Sequence, residues 1–376
     1  MKIIQILNSP NWSAASNYCI LASKELLAMG HEVLLVTEPG IPFDKAIEYN
    51  IPVNNKLRLN HRNPRKFLQA FKLLKSLFKE FKPDIISAHI NEGAWMPGLV
   101  AKYVSPDAIV ARIRTDIDAP KGHFVNRYVH HHWVDHIIAG SNLHKKNCHD
   151  VLDYPNEKID VVYGGVDTTL FNPKNRLNST FRTEVGVKND EILLGLVARL
   201  SPVKGHKFLI EAFSEVCKIN KRVKLACIGY ESELSFDWLK DLAKEYNVAD
   251  KLICVGRRND IEKVIADIDI GLISSIGSEA NTRAGLEYMA SGKPVVGTSV
   301  GVIPEVIVDK VTGFVVPHSN SKALAEAILK LVQNNAMRQL MGQSSRHRAE
   351  QVFSLKRFAQ DMEKTYRSLL ERKTVK

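Results

Sequence analysis

The feature that most constrains the fold is a series of short apolar runs that alternate with helical patterns along the whole chain. Continuous apolar runs are typical of strands buried on both faces, and strand–helix alternation gives parallel strands through right-handed crossovers. We therefore expect an α/β protein whose parallel sheets are covered by helices on both faces. The expected strands are Ile3–Leu7, Glu32–Val36, Asp84–Ala88, Ile109–Ile113, His136–Ala139, Ile159–Val162, Ile192–Val197, Lys224–Ile228, Leu252–Val255, Ile268–Ile273, Pro294–Gly297 and Gly313–Val316.

A break in this series indicates two domains. The chain has 376 residues, and domains average about 150 residues. The stretch from Thr168 to Asn178 is mostly polar, and a new strand–helix series starts at Ile192. Two units of six strands each predict two facing Rossmann-like domains. We place these domains at residues 1–170 and 171–350, followed by an amphipathic helix in residues 351–376 that we expect to pack back toward the first domain.

Composition restricts the class of protein. Hydrophobic residues make up 45% and charged residues 25% of the chain, which excludes a disordered or collagen-like protein. The apolar stretches are shorter than the roughly twenty residues of a membrane-spanning helix, and the first residues do not have the pattern of a signal peptide. The five cysteines form no CxxC pair, so we expect core thiols in a reducing cytoplasm.

One segment is strongly basic. The net charge of the chain is +11, and Asn54–Lys82 contains nine of the positive residues and one negative residue. The segment includes an expected helix from Pro64 to Phe81, with Asn63 as its N-cap and an apolar face rich in phenylalanine. Two interpretations stay open: a solvated basic face, or a cationic surface for a phosphate-bearing polymer or an anionic membrane, here through Lys56–Lys82. The apolar face can pack on the sheet in either case.

The loop after the strand Ile192–Val197 is a candidate anion site, because open parallel sheets bind ligands beyond the carboxyl ends of their strands. Arg199 ends the strand, and Lys204 with Gly205 opens the next helix. Two cations five residues apart can converge on one diphosphate, and helix amides add to the attraction. The alternative is a pair of solvated surface cations.

A second candidate loop follows the strand that ends at Ile273. It contains Glu279, and Glu287 follows eight positions later. If a helix begins at Asn281, Glu287 lies within the helix and Glu279 on the loop before it. Carboxylates about 10 Å or more apart along such an axis suit two hydroxyl-bearing groups better than one metal ion. The alternative is one capping and one solvated glutamate.

Taken together, the two loops resemble the second domain of the retaining glycosyltransferases of family 4, which have the GT-B fold. The pair Arg199/Lys204 precedes the Glu-x7-Glu element by about 80 residues, as it does in that family. Further segments agree with the family pattern along most of the chain. They are Leu27–Val33, Tyr163–Phe171, Gly301–Ile307 and Thr312–Val316.

The resemblance implies a role for each matching position. Arg199 and Lys204 would stabilise the donor diphosphate as a leaving group, which is electrostatic stabilisation of developing charge. Glu287 would bind the ribose hydroxyls and Glu279 a hydroxyl of the donor sugar, with retention of anomeric configuration. The residues implied to surround the nucleotide, sugar and phosphate are Asn281, Thr282, Arg283, Gly229, Arg257, Arg258 and Asn259.

No cofactor and no metal ion are expected, because two cations and a helix terminus would replace the metal at the diphosphate. The sequence Asp267-Ile268-Asp269 heads an apolar strand and is interpreted as structural. The run His130–His132 is not expected to bind metal either, since consecutive side chains point in different directions.

The first domain departs from the family pattern. The family often has a glycine-rich loop after the first strand; here Ser13 and Ala14 are the candidates for close approach to phosphate. The family's frequent histidine after the middle strand is missing, and Arg114 and Asp116 are the candidates to replace it. His89 ends the preceding strand and is a candidate catalytic residue, with a purely structural hydrogen bonder as the alternative. The resemblance assigns acceptor binding to this domain.

The residues around Glu279 are most similar to the cell-envelope branch of the family, which builds lipopolysaccharide and related glycans. The prediction is a cytoplasmic enzyme, peripheral on the inner face of the cytoplasmic membrane, that transfers a sugar from a nucleotide-diphosphate donor to a lipid-linked or polysaccharide acceptor. Three alternatives remain: a sugar-nucleotide epimerase or hydrolase of the same fold, a basic nucleic-acid-binding or scaffold protein, and a transferase-like chain that only binds. No nucleic-acid partner is expected, because no recognisable binding motif is present. The base, the sugar and the acceptor stay open.

Overall fold

The structure, a computed structural model, describes residues 1–58, 63–89, 95–116 and 118–374. It divides into two compact units: the first consists of Met1–Gly165 with Leu355–Lys376, and the second of Val166–Ser354. The strands are β1 (Lys2–Leu7), β2 (Glu32–Thr37), β3 (Val53–Asn54), β4 (Ile85–Ala88), β5 (Ile109–Arg114), β6 (His136–Ala139), β7 (Ile159–Val161), β8 (Ile192–Val197), β9 (Val223–Ile228), β10 (Leu252–Val255), β11 (Ile270–Ile273), β12 (Val295–Thr298) and β13 (Gly313–Val316).

The α-helices connect these strands. They are α1 (Ala14–Ala28), α2 (Ile41–Glu48), α3 (Pro64–Phe81), α4 (Trp95–Val104), α5 (Phe124–Trp133), α6 (Asn142–Leu152), α7 (Phe181–Glu184), α8 (His206–Ile219), α9 (Phe236–Glu245), α10 (Ile261–Asp267), α11 (Arg283–Ala290), α12 (Ile303–Val306), α13 (Ser321–Gln333), α14 (Asn335–Val352) and α15 (Leu355–Thr374). In the part of the chain that is described, no helix is both long enough and apolar enough to cross a membrane.

The first unit contains a seven-stranded parallel sheet in the order β3-β2-β1-β4-β5-β6-β7. Its central strand β1 pairs with β2 on one side and β4 on the other, so that Ile3 has Val33 and Ile85 as its register partners. Successive residues of β1 point to opposite faces, and both faces are covered. One core contains residues of α1 and α15, and the other contains residues of α3 and α4.

Local sequence explains the long helix α3. Asn63 accepts hydrogen bonds from the amides of Arg65 and Lys66, and Pro64 occupies the first helical position, where its missing N–H costs nothing. The helix ends at Phe81, and the next residue, Lys82, adopts a left-handed conformation. The expected bounds and N-cap of this helix are therefore confirmed.

The second unit contains a six-stranded parallel sheet in the order β10-β9-β8-β11-β12-β13. Its main core is built from β8, β9, α8, α9 and α13. The predicted fold class, two Rossmann-like domains with parallel sheets, is confirmed. The expectation that the cysteines are core residues holds for four of the five, Cys19, Cys148, Cys217 and Cys227, all of which are buried free thiols.

Besides shifts of one residue at several strand ends, three differences from the sequence-based expectations have a structural reason. The first sheet has a seventh strand, β3, because the two-residue segment Val53–Asn54 pairs with the edge strand β2; so short a pairing leaves no pattern in the sequence. Strand β11 begins at Ile270 instead of Ile268, because Asp269 accepts a hydrogen bond from the Leu193 amide before the ladder starts. Helix α11 begins at Arg283, two residues later than Asn281, because Thr282 turns into a left-handed conformation.

Candidate active site

The order of strands in the second unit places the two predicted loops side by side. The chain runs outward from β8 to β10 and then returns to β11, which lies against the other side of β8. Such a reversal point is where open α/β sheets bind ligands, beyond the carboxyl ends of the strands. The loop after β8 contains Arg199 and Lys204, and the loop after β11 contains Glu279.

Lys204 and Glu279 are in direct contact. The Lys204 ammonium donates a hydrogen bond to Glu279 Oε1, although the two residues are 75 positions apart. Ser275 Oγ donates to the same carboxylate oxygen at 2.6 Å, and Ser274 Oγ donates to the carbonyl of Lys204 at 2.8 Å. The carboxylate of Glu279 is buried, while the Lys204 side chain is one-fifth exposed. Within this unit, the structure therefore brings the cationic loop and the acidic loop together.

Two glycines permit this close approach. Gly205 has φ +69°, and a Cβ there would lie 2.0 Å from the Ser274 carbonyl oxygen. Gly301, on the loop after β12, has φ +54°, and a Cβ there would lie 2.0 Å from the Glu279 carbonyl oxygen. The next residue, Val302, donates its amide hydrogen to that same oxygen at 3.0 Å. Glycine at both positions thus fixes the backbone on either side of the acidic loop.

Glu287 lies inside α11 and is buried. Its Oε1 accepts a hydrogen bond of 2.7 Å from Nε of Arg283, one turn earlier on the helix. Burial raises the pKa of the Glu287 carboxyl above its ordinary value, and the charge of Arg283 opposes that rise. The side chain of its partner Arg283 is more than half exposed, whereas the Glu287 side chain is buried.

The residues just before α11 have unused donors. Thr282 is buried and has φ +38°, a conformation that is costly for a β-branched residue and is found mainly at functional sites. Its hydroxyl makes no hydrogen bond with any residue that the structure describes. The same holds for the backbone amides of Asn281, Thr282 and Arg283 within the described chain. These groups form a set of donors at the N-terminus of a helix.

Arg199 differs from Lys204. Its side chain is exposed, and no carboxylate of a described residue lies within ion-pair distance of it. The pair of cations therefore consists of one residue held by Glu279 and one exposed residue whose charge contributes, after hydrogen bonds, to the lowered pKa of Glu233.

The remaining predicted residues of this unit lie along the same edge of the sheet. Gly229 follows β9, and its missing side chain has a structural reason: a Cβ there would lie 1.9 Å from the Ala198 carbonyl oxygen. Arg257 and Asn259 follow β10 and are exposed. The guanidinium of Arg258 donates two hydrogen bonds of 2.8 Å to Asp260 and one of 3.0 Å to Glu184.

Two residues beside the predicted site, Ser275 and Tyr288, were not indicated by the sequence pattern. Ser275 holds the Glu279 carboxylate, as described above. Tyr288 is buried next to Glu287, and its hydroxyl accepts from the Val197 amide at 2.7 Å and donates to the Gly195 carbonyl at 2.9 Å. The hydroxyl thus satisfies two backbone groups near the carboxyl end of β8, where β8 pairs with β11 at only two positions. The position of Tyr288 directly after Glu287, a predicted site residue, could have indicated the role of this tyrosine.

In the first unit, His89 follows β4 next to the equivalent reversal point between β1 and β4. Its Nε2 is 2.6 Å from Gln5 Oε1, which assigns the ring proton to Nε2. Burial, with a further contribution from Arg112, lowers the pKa of His89 to about 3. Its Nδ1 is buried and has no hydrogen-bond partner among the described residues. His89 is therefore a neutral hydrogen-bonding group at physiological pH.

The other candidates of the first unit have local structural contacts. Ser13 is the N-cap of α1 and forms a capping box with Ser16, and Ala14 is the first helical residue. Arg114 Nη1 lies 3.4 Å from Asp116 Oδ2, so the two candidates for the missing histidine form an ion pair with each other.

The aspartates that head β11 have structural contacts. Asp267 accepts from Ser179 Oγ at 2.6 Å, and Asp269 pairs with Arg182 at 3.0 Å and with Arg176 at 3.1 Å. Among the described residues, no group of three or more histidine, cysteine or acidic side chains is arranged to hold a metal ion.

Comparison with known proteins agrees with this geometry. Residues 15–170 match the family model described as Glycosyltransferase Family 4, and residues 178–348 match the one described as Glycosyl transferases group 1. The second match contains every candidate residue of the β8 and β11 loops.

Similar proteins are found over the full length and over part of the chain. N-acetyl-alpha-D-glucosaminyl L-malate synthase of Bacillus anthracis is 23% identical over 92% of each chain. Capsular polysaccharide biosynthesis glycosyltransferase CapM of Staphylococcus aureus is 27% identical over 63% of this chain and 60% of its own. The crystal structure of Anabaena Alr3699/HepE in complex with UDP superposes with a TM-score of 0.85 at 21% identity, covering 98% of this chain and 100% of that one. The chain is therefore a glycosyltransferase of the GT-B fold, built from a family 4 domain followed by a group 1 domain.

Proposed function

We propose that the protein is a retaining, metal-independent glycosyltransferase that uses a uridine-diphosphate sugar as donor. The observation that carries this proposal is the hydrogen bond between Lys204 and Glu279. It joins a cation suited to a diphosphate with a carboxylate suited to a sugar hydroxyl at one reversal point of the sheet. The crystal structure of the Anabaena relative contains UDP, which supports uracil as the base.

The donor would extend along the carboxyl edge of the second sheet. Strands lie about 4.8 Å apart, so the loops after β10, β9, β8 and β11 span roughly 14 Å, which is the scale of an extended nucleotide sugar. The backbone at Arg257–Asn259 would contact the base, and Glu287 the ribose. Because the Arg258 side chain is hydrogen-bonded to Asp260 and Glu184, the backbone of this loop would contact the base.

Leaving-group stabilisation would fall to Lys204, Arg199 and the donors that precede α11. The diphosphate would compete with Glu279 for the Lys204 ammonium, while Arg199 would swing in from solvent. The unpaired Thr282 hydroxyl and the amides of residues 281–283 would donate to the phosphate or to the sugar. Donors that are fixed before the reaction stabilise developing charge without reorganisation. These groups would take the place of a metal ion.

The acceptor would bind to the first unit and would be a lipid-linked or polysaccharide glycan of the cell envelope. Two observations support this class. CapM of Staphylococcus aureus bears the name of a capsular polysaccharide biosynthesis glycosyltransferase. In the Lys56–Lys82 segment, of which residues 59–62 lie outside the described part, the exposed lysines of α3 suit a position on the inner face of an anionic cytoplasmic membrane. His89, whose Nδ1 is free to accept a hydrogen bond, would orient an acceptor hydroxyl.

A nucleotide thermal-shift screen followed by a transfer assay tests the proposal. We expect UDP to raise the melting temperature, since ligand at one hundred times its dissociation constant stabilises by about 2.7 kcal/mol. Lys204→Ala and Glu279→Ala should each lower turnover at least about tenfold, given that one charge-stabilising donor contributes about 2.7–4 kcal/mol. Both variants should keep the wild-type circular dichroism spectrum.

The control is Lys207→Ala, which removes an exposed lysine on α8 three residues after Lys204. Wild-type turnover in the Lys204 and Glu279 variants would refute the site. Release of free sugar or of an epimer without any acceptor would assign a hydrolase or epimerase instead. Binding of RNA in the absence of any response to nucleotide sugars would assign a nucleic-acid-binding protein.

A further inference from the structure

Helix α3, in the basic segment of the first unit, has most of its apolar residues turned inward. Helix α3 buries Ala70, Leu74 and Phe78 against the sheet. A helix brings residues three and four apart onto one face, so its outer face is formed by Arg65, Leu68, Lys72, Lys75 and Lys79, all of which are exposed. Only Leu68 on this face is apolar, with 51% of its surface exposed. Helix α3 alone therefore offers charge to a partner but almost no apolar surface.

Helix α5 supplies exposed apolar residues on the same layer. Phe124 is 80% exposed and Tyr128 is 45% exposed, and they lie one helical turn apart with ring centroids 6.3 Å apart. Tyr128 in turn stacks on His132, with centroids 3.9 Å apart and nearly parallel planes. Val125 of α5 and Tyr103 of α4 are exposed as well. So many exposed large apolar side chains on two adjacent helices indicate an interaction surface.

Helices α3, α4 and α5 pack side by side in one layer. A row of ring contacts crosses it, from Phe67 to Trp95 at 5.4 Å, from Trp95 to Trp133 at 6.0 Å, and from Trp133 to Tyr128 at 6.1 Å. Gly98 lets α4 approach α5 closely, because a Cβ there would lie 2.3 Å from the Trp133 carbonyl oxygen. The lysine face of α3 and the aromatic residues of α5 are thus parts of one surface and keep a fixed spacing.

The charge of this surface selects its partner. The three helices contain seven lysine and arginine residues and one acidic residue, Glu80. A second copy of the same face would bring like charges together, which disfavours self-association. An anionic partner is favoured, and a bilayer is the one that also offers an apolar phase to rings such as Phe124.

We propose that the outer face of α3, α4 and α5 binds an anionic lipid bilayer, with the α3 lysines on headgroup phosphates and Phe124, Tyr128 and Tyr103 inserted at the interface. This inference rests on the proposed function in one respect, that the acceptor is presented at a membrane. It goes beyond the Lys56–Lys82 segment, because it assigns the insertion to α4 and α5 and leaves only electrostatic attraction to α3.

Vesicle co-sedimentation of the full-length protein tests the surface. We expect binding to vesicles of phosphatidylglycerol and phosphatidylethanolamine and little binding to phosphatidylcholine alone. Lys72→Glu with Lys75→Glu should weaken the binding at least about tenfold, because each basic residue near such a surface contributes about 1 kcal/mol. Phe124→Ser with Tyr128→Ser should also weaken it about tenfold, with a residual binding that disappears at high salt.

Matched controls come from the second unit. Leu340→Ser removes an apolar side chain of α14 that is 65% exposed, and Lys322→Glu with Lys330→Glu reverses two exposed lysines of α13. Both controls should bind vesicles like the wild type. Equal losses in the controls and in the test variants would overturn the proposal, as would wild-type binding in the Phe124/Tyr128 variant.

Insertion can be measured directly with lipids brominated on their acyl chains. Fluorescence of a Phe124→Trp variant should be quenched more than that of a Leu340→Trp variant, and an equal response would refute insertion. RNA that binds more tightly than vesicles and depends on Tyr128 would assign the surface to nucleic acid. The UDP-induced thermal shift, measured on the same variants without lipid, should be unchanged; it separates a failure of the membrane surface from a failure of the donor site.

Discussion

The two Rossmann-like units use the reversal points of their sheets differently. In the second unit, the loops beyond β8 and β11 contain charged groups, Lys204 and Glu279, in direct contact, and a strained threonine with unused donors stands beside them. In the first unit, the equivalent place contains neutral polar groups, where His89 is hydrogen-bonded to Gln5 and Tyr366 of the C-terminal helix donates to Ser87 at 2.9 Å.

This difference teaches where each unit places its charge. At its reversal point the second unit places the charged pair Lys204 and Glu279 beside the strained backbone of Thr282. At the corresponding point the first unit has the neutral pair His89 and Gln5, while the lysines of α3 lie exposed on its outer layer. The same fold thus carries its charge at one edge of the sheet in the second unit and on an outer helix face in the first.

The largest effect should come from the glycines that shape the second unit. Gly301→Ala should lower the free energy of unfolding by more than about 2 kcal/mol and abolish the response to UDP, because a Cβ combines an unfavourable φ with a backbone clash. Gly30→Ala in the first unit is the matched control, with φ +85° and no atom within 4 Å of its Cβ. It should cost about 1 kcal/mol and leave UDP binding intact. Denaturant unfolding measures the stability of the two variants, and thermal shift measures their response to UDP. Equal effects of Gly301→Ala and Gly30→Ala would contradict the difference between the units.

A smaller difference in stability is expected between variants of two buried tyrosines, Tyr288 and Tyr366. Tyr288→Phe removes the partner of two backbone groups of β8 and should cost about 2–3 kcal/mol, since both groups are left unsatisfied. Tyr366→Phe removes one hydrogen bond to a side chain and should cost about 1 kcal/mol. Isothermal calorimetry should show weaker UDP binding in the Tyr288 variant only. Unchanged UDP binding in that variant would mean that the packing of β8 against β11 does not shape the donor site.

The smallest effect concerns Glu287 and depends on pH. Burial raises the pKa of this carboxyl in the folded state, so the folded protein holds the proton more tightly than the unfolded chain does. Stability is therefore lost as pH rises from the ordinary glutamate pKa through the raised value, and the loss stays constant above it. Glu287→Gln should remove this dependence and gain stability at pH 8 relative to pH 4, while weakening UDP binding. A variant that is less stable than the wild type at pH 8 would contradict this assignment, with Glu262→Gln on the partly exposed face of α10 as the control.

Much of this arrangement was predictable because it follows from local rules. The apolar runs specify buried parallel strands, and Asn63-Pro64 specifies the start of α3. The spacing of Glu279 and Glu287 placed one carboxylate on a loop and the other on a helix, as found. The start of α11 was placed two residues too early, because nothing in the sequence marks Thr282 as left-handed; that conformation depends on contacts around the loop.

The sequence by itself determined the α/β class, the succession of strands, and the residue types available for a charged site, because each depends on periodicity and on chemistry that neighbours along the chain already carry. Only the tertiary structure decided which groups meet. The contact of Lys204 with Glu279, the hydrogen bonds of Tyr288 to β8, and the common surface of α3 and α5 join residues that are distant in the chain. Such contacts follow from strand order and close packing, and no local pattern encodes them.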